Sequence, residues 1–382
     1  MYQISLPKKI IAGFDSLQTI HQLIDEIKAR HVLILTDPAI EKSGLLDILR
    51  GYIPEECQVS IGSGLIPEPS YKDVEEAMAS LDDVSPDLIV GFGGGSVMDT
   101  AKLFSILKDV DYSIRDLLRD PLVGEKKIKT VMIPTTCGTG AEVTANAIVS
   151  IPEEMVKKGI VNPEMIPDYV IIDPVTVKNL PISILAATGV DALCHGIECF
   201  TSNKANSISD LYALECSKGI LKSIRQAYTD PENFQARLNL QLAALYGGLA
   251  ISSSGTHAVH ALSYPLGGKF HIPHGVSNAV LLLSVMQYIA DSCADRLGLI
   301  CDAINPAMSQ STIESKVAFV LAEIQDVIST LDLPTKLNSF GINPEDLDFL
   351  VDAASDQRRL LDNSLKQLSK SDIRSIYAKL LD

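Results

Sequence analysis

Residues 87–102 read DLIVGFGGGSVMDTAK, and this stretch decides the class of fold. Its apolar first part, residues 87–92, is typical of a buried strand, and residues 97–108 favour a helix. The intervening glycines and serine, residues 93–96, let main-chain N–H groups approach a phosphate where the helix N-terminus favours negative charge. Glycine runs are also common in flexible turns, so a turn without a ligand is the alternative.

The same alternation of strand and helix continues on both sides of this stretch. Further apolar runs predict strands at 31–36, 57–61, 130–133 and 169–172, with intervening helices that include one near 39–50. Alternating strands and helices are typical of a parallel sheet covered by helices. We therefore predict an α/β dinucleotide-binding domain of the Rossmann-like type at residues 1–180, with residues 2–12 as a short edge ribbon.

Beyond residue 180 the apolar spacing is almost entirely helical. Stripes with the helical period lie at 208–224, 234–251, 279–290, 313–331 and 345–353, and a last amphipathic helix is predicted at 371–381. This pattern predicts an all-α domain at residues 181–382, with the domain boundary near Leu180. We expect this second domain to be the metal-binding and catalytic domain.

The chain carries a formal net charge of −16, with 46% hydrophobic and 21% charged residues. These values are typical of globular proteins, and the acidity disfavours nucleic acid or an anionic membrane as a partner, because either needs a basic face. The seven cysteines form no C-x-x-C pair, which favours reduced thiols in a cytoplasmic protein. We expect no membrane span, because no apolar run approaches the roughly 18 residues that a span requires.

Five of the seven histidines lie between His195 and His274. Asp191 and His195 are four residues apart, so on a helix they share one face and can bind the same ion. His260 and His274 could complete a set of one oxygen and three nitrogens, which suits iron(II) or zinc and suits calcium or magnesium poorly. The alternative for an isolated Asp-x-x-x-His pair is a surface ion pair or a helix cap.

Asp37 follows the predicted strand at 31–36 and precedes Pro38. A carboxylate at the end of such a strand can accept hydrogen bonds from an adenosine ribose, and it repels a 2′-phosphate. A helix cap before Pro38 is the alternative role of this side chain.

Four segments resemble motifs of the iron-containing (group III) alcohol dehydrogenase family, in order and spacing. They read GFGGGSVMDTAK at 91–102, IPTTCGTGAEVT at 133–144, GVDALCHGIE at 189–198 and HALSYPLGGKFHIPHG at 260–275. The resemblance covers most of the chain and implies a dehydroquinate-synthase-like fold. The metal ligands that it implies are Asp191, His195, His260 and His274.

The resemblance also implies an activity. The expected enzyme is a metal-dependent alcohol dehydrogenase or aldehyde reductase that transfers hydride between NAD(H) and a small alcohol or aldehyde, with Fe²⁺ or Zn²⁺ polarising the substrate oxygen. Alternatives are a hydroxyacid dehydrogenase, a hydroxyacid–oxoacid transhydrogenase and a glycerol-dehydrogenase-like polyol enzyme. A non-enzymatic metal-binding scaffold is disfavoured, because cofactor and metal motifs occur together.

Residues 133–144 and a downstream lysine, here Lys158, are implied by the resemblance to surround the nicotinamide ribose. A polar turn is the alternative for the threonine-rich segment. An aspartate at position 37 is implied to go with NAD(H) in preference to NADP(H). The cofactor-binding residues predicted in this way are Asp37, Gly93, Gly94, Gly95, Ser96, Asp99, Thr135, Thr136, Thr139 and Lys158.

One position departs from the family pattern. Many members carry a further histidine four residues after the third ligand, thought to relay protons, and this chain has Tyr264 there. A phenol, with an ordinary pKa of about 10, is a poorer base than imidazole at neutral pH. The catalytic candidates are therefore Tyr264 itself and His271, with His257 as a third possibility.

The expected partner is a small-molecule alcohol or aldehyde. Lys269 lies beside the predicted metal loop and could receive the carboxylate or sulfonate of an anionic substrate, and a solvated lysine is the alternative. By resemblance, we also expect a homodimer built through the N-terminal edge strand.

Overall fold

The computed structural model describes residues 4–381, and this part of the chain divides into two compact units. The α/β unit comprises residues 5–136 and 140–180, and the helical unit comprises residues 137–139 and those from 181 onward. The strands all belong to the α/β unit among the described residues. An α/β part followed by an all-helical part is the predicted fold class, which the structure confirms.

The strands are β1 (Lys9–Ala12), β2 (His31–Leu35), β3 (Gln58–Gly62), β4 (Leu88–Gly93), β5 (Lys129–Pro134), β6 (Asn146–Ile151), β7 (Val156–Val161) and β8 (Tyr169–Ile172). Within residues 4–381, six of them form one parallel sheet in the order β1-β8-β5-β4-β2-β3, and β6 and β7 form an antiparallel hairpin. Strand β4 lies inside the sheet, where Val90 pairs with Ile34 of β2 and with Val131 of β5.

The helices of the α/β unit are α1 (Ile20–Ile27), α2 (Pro38–Lys42), α3 (Leu45–Arg50), α4 (Tyr71–Ala79), α5 (Gly95–Leu107) and α6 (Ile114–Arg119). All residues of β4 are buried: Val90 and Phe92 pack in one apolar cluster, and Ile89 packs in another. Alternate side chains point to opposite faces of a sheet, so both faces of β4 are covered, as expected for a parallel sheet.

The turn between β4 and α5 requires glycine for steric reasons. A Cβ on Gly93 would lie 2.6 Å from the Val97 side chain, and a Cβ on Gly91 would lie 2.6 Å from Sδ of Met132. A side chain at either position would therefore push apart the strand and its neighbours. The strand–glycine–helix unit predicted from residues 87–102 is present, and its glycines allow the close packing of α5 on the sheet.

Some elements differ from the sequence prediction. The helix predicted near 39–50 is interrupted at Gly44, whose φ of 77° is left-handed, so α2 and α3 are separate helices. The prediction also lacks α6 and the β6–β7 hairpin. Strand β7 reads VKKGIV, and its adjacent lysines and glycine interrupt the alternation by which a half-buried strand is identified.

The helices of the helical unit are α7 (Ile182–Phe200), α8 (Ser207–Thr229), α9 (Phe234–Ile251), α10 (Ala258–Phe270), α11 (His274–Ile289), α12 (Ala294–Ile304), α13 (Ile313–Thr330), α14 (Leu347–Ser355), α15 (Arg358–Leu361) and α16 (Lys370–Leu381). Helix α7 contacts α8, α9 and α11, and its residues 189–200 are all buried. A Cβ on Gly196 would lie 2.6 Å from Oγ of Ser217, so this glycine permits the close approach of α8.

Helix α7 is long and apolar enough to cross a membrane, which corrects the expectation that no apolar run approaches that length. In the structure, 78% of its most apolar window is buried inside the protein, so α7 is a core helix here. By the same criteria, residues 274–304 would count as a span only if two segments that meet at a bend of 116° were taken together.

Candidate functional site

Asp191 and His195 project from the same face of α7. They are four residues apart, and Oδ1 of Asp191 lies 3.7 Å from Nε2 of His195. Both residues are buried, with exposures of 2% and 5%. The helical repeat therefore produces a carboxylate–imidazole pair in the interior of the helical unit.

His260 of α10 and His274 at the start of α11 lie beside this pair. Oδ1 of Asp191 is 3.7 Å from Nε2 of His260 and 3.5 Å from Nε2 of His274. The rings of His195 and His260 stack with their centroids 4.9 Å apart. Three helices, α7, α10 and α11, thus bring one carboxylate and three imidazoles together.

Two glycines allow the helices to approach at this point. Gly275 follows His274, and a Cβ on Gly275 would lie 2.4 Å from the carbonyl oxygen of Ala187 on α7. On α9, a Cβ added to Gly247 would lie 3.2 Å from Cβ of His195. A larger residue at position 275 would separate α11 from α7 and withdraw His274 from the set.

The distances from the Asp191 oxygen to the three imidazole nitrogens suit a small divalent ion. The distances from Oδ1 of Asp191 to the three nitrogens are 3.5 to 3.7 Å. In a tetrahedral site with bonds of about 2.0 to 2.2 Å, the ligand atoms lie roughly 3.3 to 3.6 Å from one another. Ligand atoms of Asp191, His195 and His260 also lie within 4.8 Å of one another. The residues present therefore fit zinc or iron(II).

The side chain of Asn278, one turn after His274 on α11, points into the same set. Its Nδ2 donates a hydrogen bond to Oδ1 of Asp191 at 2.7 Å and lies 3.3 Å from Nε2 of both His260 and His274. Three acceptor atoms thus converge on one NH₂ group, whose hydrogens carry partial positive charge. This convergence is a second indication that the set is arranged to receive a cation.

The electrostatics of Asp191 and His195 favour the protonation states that bind metal. Burial opposes ionisation of Asp191, but the neighbouring imidazoles and the Asn278 amide outweigh it, so the pKa of this carboxyl lies below its usual 3.8. Burial lowers the pKa of His195 from its usual 6.5. Ionised carboxylates and neutral imidazoles are the forms that coordinate a metal ion.

Glu198 lies on the Nδ1 side of the His260 ring and is fully buried. Its Oε2 accepts a hydrogen bond from Nδ1 of His260, and its Oε1 accepts from the main-chain N–H groups of His257 at 3.1 Å and Val259 at 2.7 Å. Burial opposes its ionisation, but these partners outweigh burial and lower the pKa of Glu198. Burial also acts to lower the pKa of His260, and the contact with Glu198 outweighs it and raises that pKa.

The sequence prediction assigns no role to Glu198 or Asn278. Glu198 is seven residues after Asp191, and Asn278 is four residues after His274, so the helical period places each on the face of a predicted ligand. That period is the signal by which both could have been identified. The helical period does not show which residue of another helix each side chain contacts.

Tyr264 lies next to the candidate ligands, one turn after His260 on α10. Its ring centroid is 6.2 Å from that of His274, and its exposure is 8%. Burial raises the pKa of Tyr264 above 10, although the nearby guanidinium of Arg359 opposes the rise. At neutral pH this phenol is therefore a proton donor in its resting form.

His271 and His257 lie in other surroundings. His271 is the C-cap of α10, where its φ of 54° is left-handed, and its side chain is exposed. His257 is fully buried, and its Nε2 lies 2.9 Å from Oγ1 of Thr201. Neither ring is among those that contact the rings of the three candidate ligand histidines in the described residues.

Lys269 is engaged with other residues of the helical unit. Its Nζ pairs with Oδ1 of Asp346 at 2.7 Å and lies 4.4 Å from the ring centroid of Phe349. A lysine whose charge is already paired is a weaker receptor for an anionic substrate. The structure thus adds no support to the anionic-substrate interpretation of this residue.

The glycine turn of the α/β unit has features of a phosphate-binding loop. Gly94 is the N-cap of α5, and no side chain caps this helix. Oγ of Ser96 accepts a hydrogen bond from the N–H of Glu68 at 2.9 Å. Oγ1 of Thr136 is buried without a hydrogen-bond partner among the described residues, and a Cβ on Gly94 would lie 3.2 Å from Cγ2 of Thr136. An unpartnered hydroxyl near an uncapped helix N-terminus can receive a phosphate or ribose oxygen.

The other predicted residues of this region have structural bonds. The N–H of Thr135 donates to the carbonyl of Gly93 at 3.0 Å, and Thr139 belongs to the helical unit. Asp99 pairs with the buried Lys102 at 2.8 Å and accepts from the N–H of Ile148 at 3.0 Å. Asp99 therefore holds α5 to β6, which accounts for its presence without a cofactor.

Asp37 caps α2. Its Oδ1 accepts hydrogen bonds from the N–H groups of Ala39 at 2.8 Å and Ile40 at 3.1 Å. The helix cap that was the alternative interpretation is therefore present. Both bonds end on Oδ1, so a ribose bond to Oδ2 is compatible with the cap.

Lys158 makes a surface ion pair, and its predicted place at the nicotinamide ribose stays a prediction. Its side chain is 45% exposed and pairs with Glu154 at 2.7 Å. The adjacent Lys157 is 6% exposed and pairs with Glu68 at 2.7 Å, and Glu68 is bonded to Ser96. Successive strand residues point to opposite faces, so a difference of one position along β7 decides which lysine pairs with Glu68.

Comparison with known proteins agrees with the fold. Residues 7–174 match the protein family described as "Iron-containing alcohol dehydrogenase". Residues 185–381 match the family described as "Fe-containing alcohol dehydrogenase family, C-terminal". Long-chain-alcohol dehydrogenase 1 of Geobacillus thermodenitrificans is 38% identical over 366 residues, which cover 93% of this chain and 91% of that protein. The 1-propanol dehydrogenase PduQ of Citrobacter freundii is 32% identical and covers 76% of this chain and 74% of its own.

Among solved structures, that of a 1,3-propanediol oxidoreductase has a TM-score of 0.94, with 26% identity and coverage of 100% of both chains. The chain belongs to the iron-containing alcohol dehydrogenase family, because the two family descriptions together cover nearly its whole length. It is an oxidoreductase of the kind that acts on CH–OH groups and interconverts alcohols and aldehydes.

Proposed function

We propose that this protein is an NAD(H)-dependent alcohol dehydrogenase or aldehyde reductase that holds one divalent metal, Fe²⁺ or Zn²⁺. The ligands in this proposal are Asp191, His195, His260 and His274. The observation that carries it is the convergence of one carboxylate oxygen with three imidazole nitrogens at 3.5 to 3.7 Å. The position of the Asn278 amide among the same acceptors supports it independently.

When bound, the metal supplies Lewis-acid polarisation of the substrate oxygen. The protein itself keeps the donor set in the protonation state that binds a cation. Asp191 is held ionised by its neighbours, and burial keeps His195 neutral. One carboxylate and three neutral imidazoles leave a divalent ion with a net charge of about +1, which favours an oxygen that gains negative charge during the reaction.

We assign Tyr264 as the group that holds the proton. Reduction of an aldehyde requires one proton for the new hydroxyl oxygen, and oxidation of an alcohol releases one. The phenol lies beside His274, and its raised pKa keeps it protonated at neutral pH, which is the starting form for aldehyde reduction. His271 remains the alternative donor, and its exposed position at the end of α10 makes it the weaker candidate.

NAD(H) supplies the hydride exchange when bound. The glycine turn at 93–96 and the buried hydroxyl of Thr136 are suited to its phosphates and ribose. Asp37 would accept a hydrogen bond from the adenosine ribose and repel the extra phosphate of NADP(H). We assign the cofactor-binding role of the lysine to Lys157 rather than to Lys158, because Lys157 is connected to Ser96 through Glu68.

Metal reconstitution combined with a substrate panel tests the proposal. The chain would be prepared without metal, loaded anaerobically with Fe²⁺, Zn²⁺ or Mg²⁺, and assayed with short and long alcohols, their aldehydes and hydroxyacids. We expect uptake of one Fe²⁺ or Zn²⁺ per chain, turnover with NADH and little with the Mg²⁺ sample. His260→Ala and His274→Ala should bind the metal much more weakly than the wild type and should lose turnover. Wild-type protein that takes up no divalent ion would contradict the metal assignment, and activity on hydroxyacids alone would favour that alternative.

We also propose a cytoplasmic homodimer. In the described sheet, β1 is an edge strand that pairs with β8 on one side only, and an edge of this kind can pair with a second copy. The seven free cysteines support a reducing compartment. Sedimentation velocity on the intact chain would contradict the dimer if it gave the mass of a single chain.

A further inference from the structure

We infer that Glu198 is a positioning residue for the metal site: its carboxylate fixes the tautomer and the orientation of His260, so that Nε2 of this ring carries the lone pair that faces Asp191. The inference rests on the proposed metal function and adds a residue outside the set of ligands. Glu198 is fully buried on α7. It lies on the same face of this helix as Asp191 and His195.

The hydrogen bonds of Glu198 leave little freedom to its side chain. Oε1 accepts from two main-chain N–H groups, those of His257 and Val259, at 3.1 and 2.7 Å. His257 is the N-cap of α10 and Val259 lies in its first turn, so the carboxylate ties α7 to the start of the helix that carries His260. A carboxylate with hydrogen bonds to both of its oxygens is held rigidly and fixes the ring that it contacts.

The remaining oxygen decides the tautomer of His260. An ionised carboxylate only accepts hydrogen bonds, so the proton in its bond with the ring must reside on Nδ1 of His260. A neutral imidazole has one protonated nitrogen, which leaves the lone pair on Nε2, the atom 3.7 Å from Oδ1 of Asp191. Carboxylate–histidine–metal triads orient their ligands in this manner.

The neighbouring His257 offers a contrast within the same network. Its ring is fully buried, with Nε2 2.9 Å from Oγ1 of Thr201 and Nδ1 3.4 Å from Oε1 of Glu198. This second imidazole contacts Oε1 of Glu198, whereas His260 contacts Oε2. A change at Thr201 should therefore disturb the network without reaching His260, which makes it a matched control.

The substitution Glu198→Gln tests the inference because the amide cannot reproduce both sets of bonds. If its oxygen keeps the two main-chain donors, its NH₂ group faces Nδ1 of His260 and drives the ring proton to Nε2, the proposed ligand atom. If the amide turns round, two buried N–H groups lose their acceptor. Either arrangement should weaken Zn²⁺ binding about 10- to 100-fold, measured by competition with a chelator.

Three measurements separate positioning from general packing. Thr201→Val should change the Zn²⁺ dissociation constant by less than about twofold. In a His260→Ala background, Glu198→Gln should cause no further loss of affinity, because its effect acts through the missing ring. In the metal-free protein labelled with ¹⁵N-histidine, the His260 signal, identified by its absence in His260→Ala, should show the Nδ1–H tautomer in the wild type and the Nε2–H tautomer in Glu198→Gln.

An unchanged affinity in folded Glu198→Gln would overturn the inference, as would an Nε2–H tautomer in the wild type or an equal loss in the His260→Ala background. If Glu198→Gln does not fold, Glu198→Asp, whose shorter side chain should lose contact with Nδ1, replaces it with the same expectations. Wild-type protein without Zn²⁺ uptake would refute the proposed metal function, whereas the tautomer measurement on metal-free protein would still decide the role of Glu198.

Discussion

Nδ2 of Asn278 lies 2.7 Å from Oδ1 of Asp191, although the two residues are 87 positions apart in the chain. The amide nitrogen is also 3.3 Å from Nε2 of both His260 and His274. An amide donates without competing strongly for the metal, so it can hold the carboxylate in place while the metal bonds form. Asn278 thereby connects the N-terminal part of α11 to the centre of α7.

Removal of this amide should weaken metal binding. We expect Asn278→Ala to lower the Zn²⁺ affinity about tenfold, because the Asp191 carboxylate loses the donor that orients it. Chelator competition measures the change. Asn239→Ala, which removes the amide that accepts from Gln235 on α9, is the control and should leave the affinity unchanged. Equal effects of the two substitutions would contradict the assigned role of Asn278.

Asp37→Ser should relax the preference for NAD(H). Serine keeps a side-chain acceptor for the N-terminus of α2 but removes the negative charge that repels a 2′-phosphate. We expect the ratio of kcat/KM for NADPH to that for NADH to rise about tenfold, equivalent to ~1.4 kcal/mol. Asp120→Ser, at another aspartate cap before a proline, should leave the ratio unchanged. A ratio that stays constant in Asp37→Ser would remove Asp37 from the cofactor site.

The two adjacent lysines of β7 should differ in their effect on cofactor binding. Lys157→Ala removes a buried partner of Glu68 close to Ser96, and we expect the dissociation constant for NADH to rise about tenfold, as for the loss of one charge-assisted hydrogen bond. Lys158→Ala removes an exposed ion pair with Glu154 and should change the dissociation constant for NADH by less than about twofold. Quenching or enhancement of NADH fluorescence measures both. The reverse order of effects would restore the original prediction for Lys158.

Tyr264→Phe should lower kcat about 100-fold while the metal content stays at the wild-type level, because the substitution removes only the hydroxyl and keeps the ring that lies beside His274. His271→Ala should change kcat by less than about twofold, since this side chain is exposed at the end of α10. Steady-state assays of metal-loaded protein with an aldehyde and NADH decide between them. Loss of turnover in His271→Ala with metal retained would transfer the proton-holding role to His271.

Glu142 in the α/β unit should make stability depend on pH. Burial raises the pKa of its carboxyl from 4.5 to about 7. Between these values the folded protein binds more protons than the unfolded chain, so this contribution to stability falls as the pH rises, by roughly 3 kcal/mol in total. Glu142→Gln should therefore raise the free energy of unfolding by up to about that amount near pH 8 and leave it nearly unchanged near pH 4.

Urea unfolding of the metal-free and cofactor-free protein at the two pH values measures this difference. Glu76→Gln, on the exposed side of α4, is the control, and its free energy of unfolding should differ from that of the wild type by the same small amount at both pH values. An equal gain at both values of pH for Glu142→Gln would show that the carboxyl is not held protonated by burial.

The local patterns of the sequence predicted the features that depend on neighbours in the chain. The run at 87–102 folds as a strand, a glycine turn and a helix, and Asp191 and His195 share one face of α7. Both follow from periodicities that extend over a few residues, 2 for a strand and about 3.6 for a helix. The interruption at Gly44 and the β6–β7 hairpin were not predicted, because a single left-handed residue or a strand rich in lysine and glycine weakens those patterns.

The choice between Lys157 and Lys158 shows the limit of a motif. Both lysines satisfy a resemblance in which one lysine follows the threonine-rich segment, but only the strand register of β7 decides which side chain faces Glu68. A shift of one residue in a strand moves a side chain to the opposite face, so the motif cannot resolve the two.

By itself, the sequence determined the alternation of strands and helices, the glycine turn and the pairing of Asp191 with His195, because these depend on contacts within one or two turns of chain. Only the tertiary structure decided that Glu198 contacts His260, 62 residues away, and that Asn278 contacts Asp191. Polar groups buried by the packing of α7, α10 and α11 must find partners across helices, and the positions of the other helices, rather than the residue's own neighbours, determine which partner is within reach.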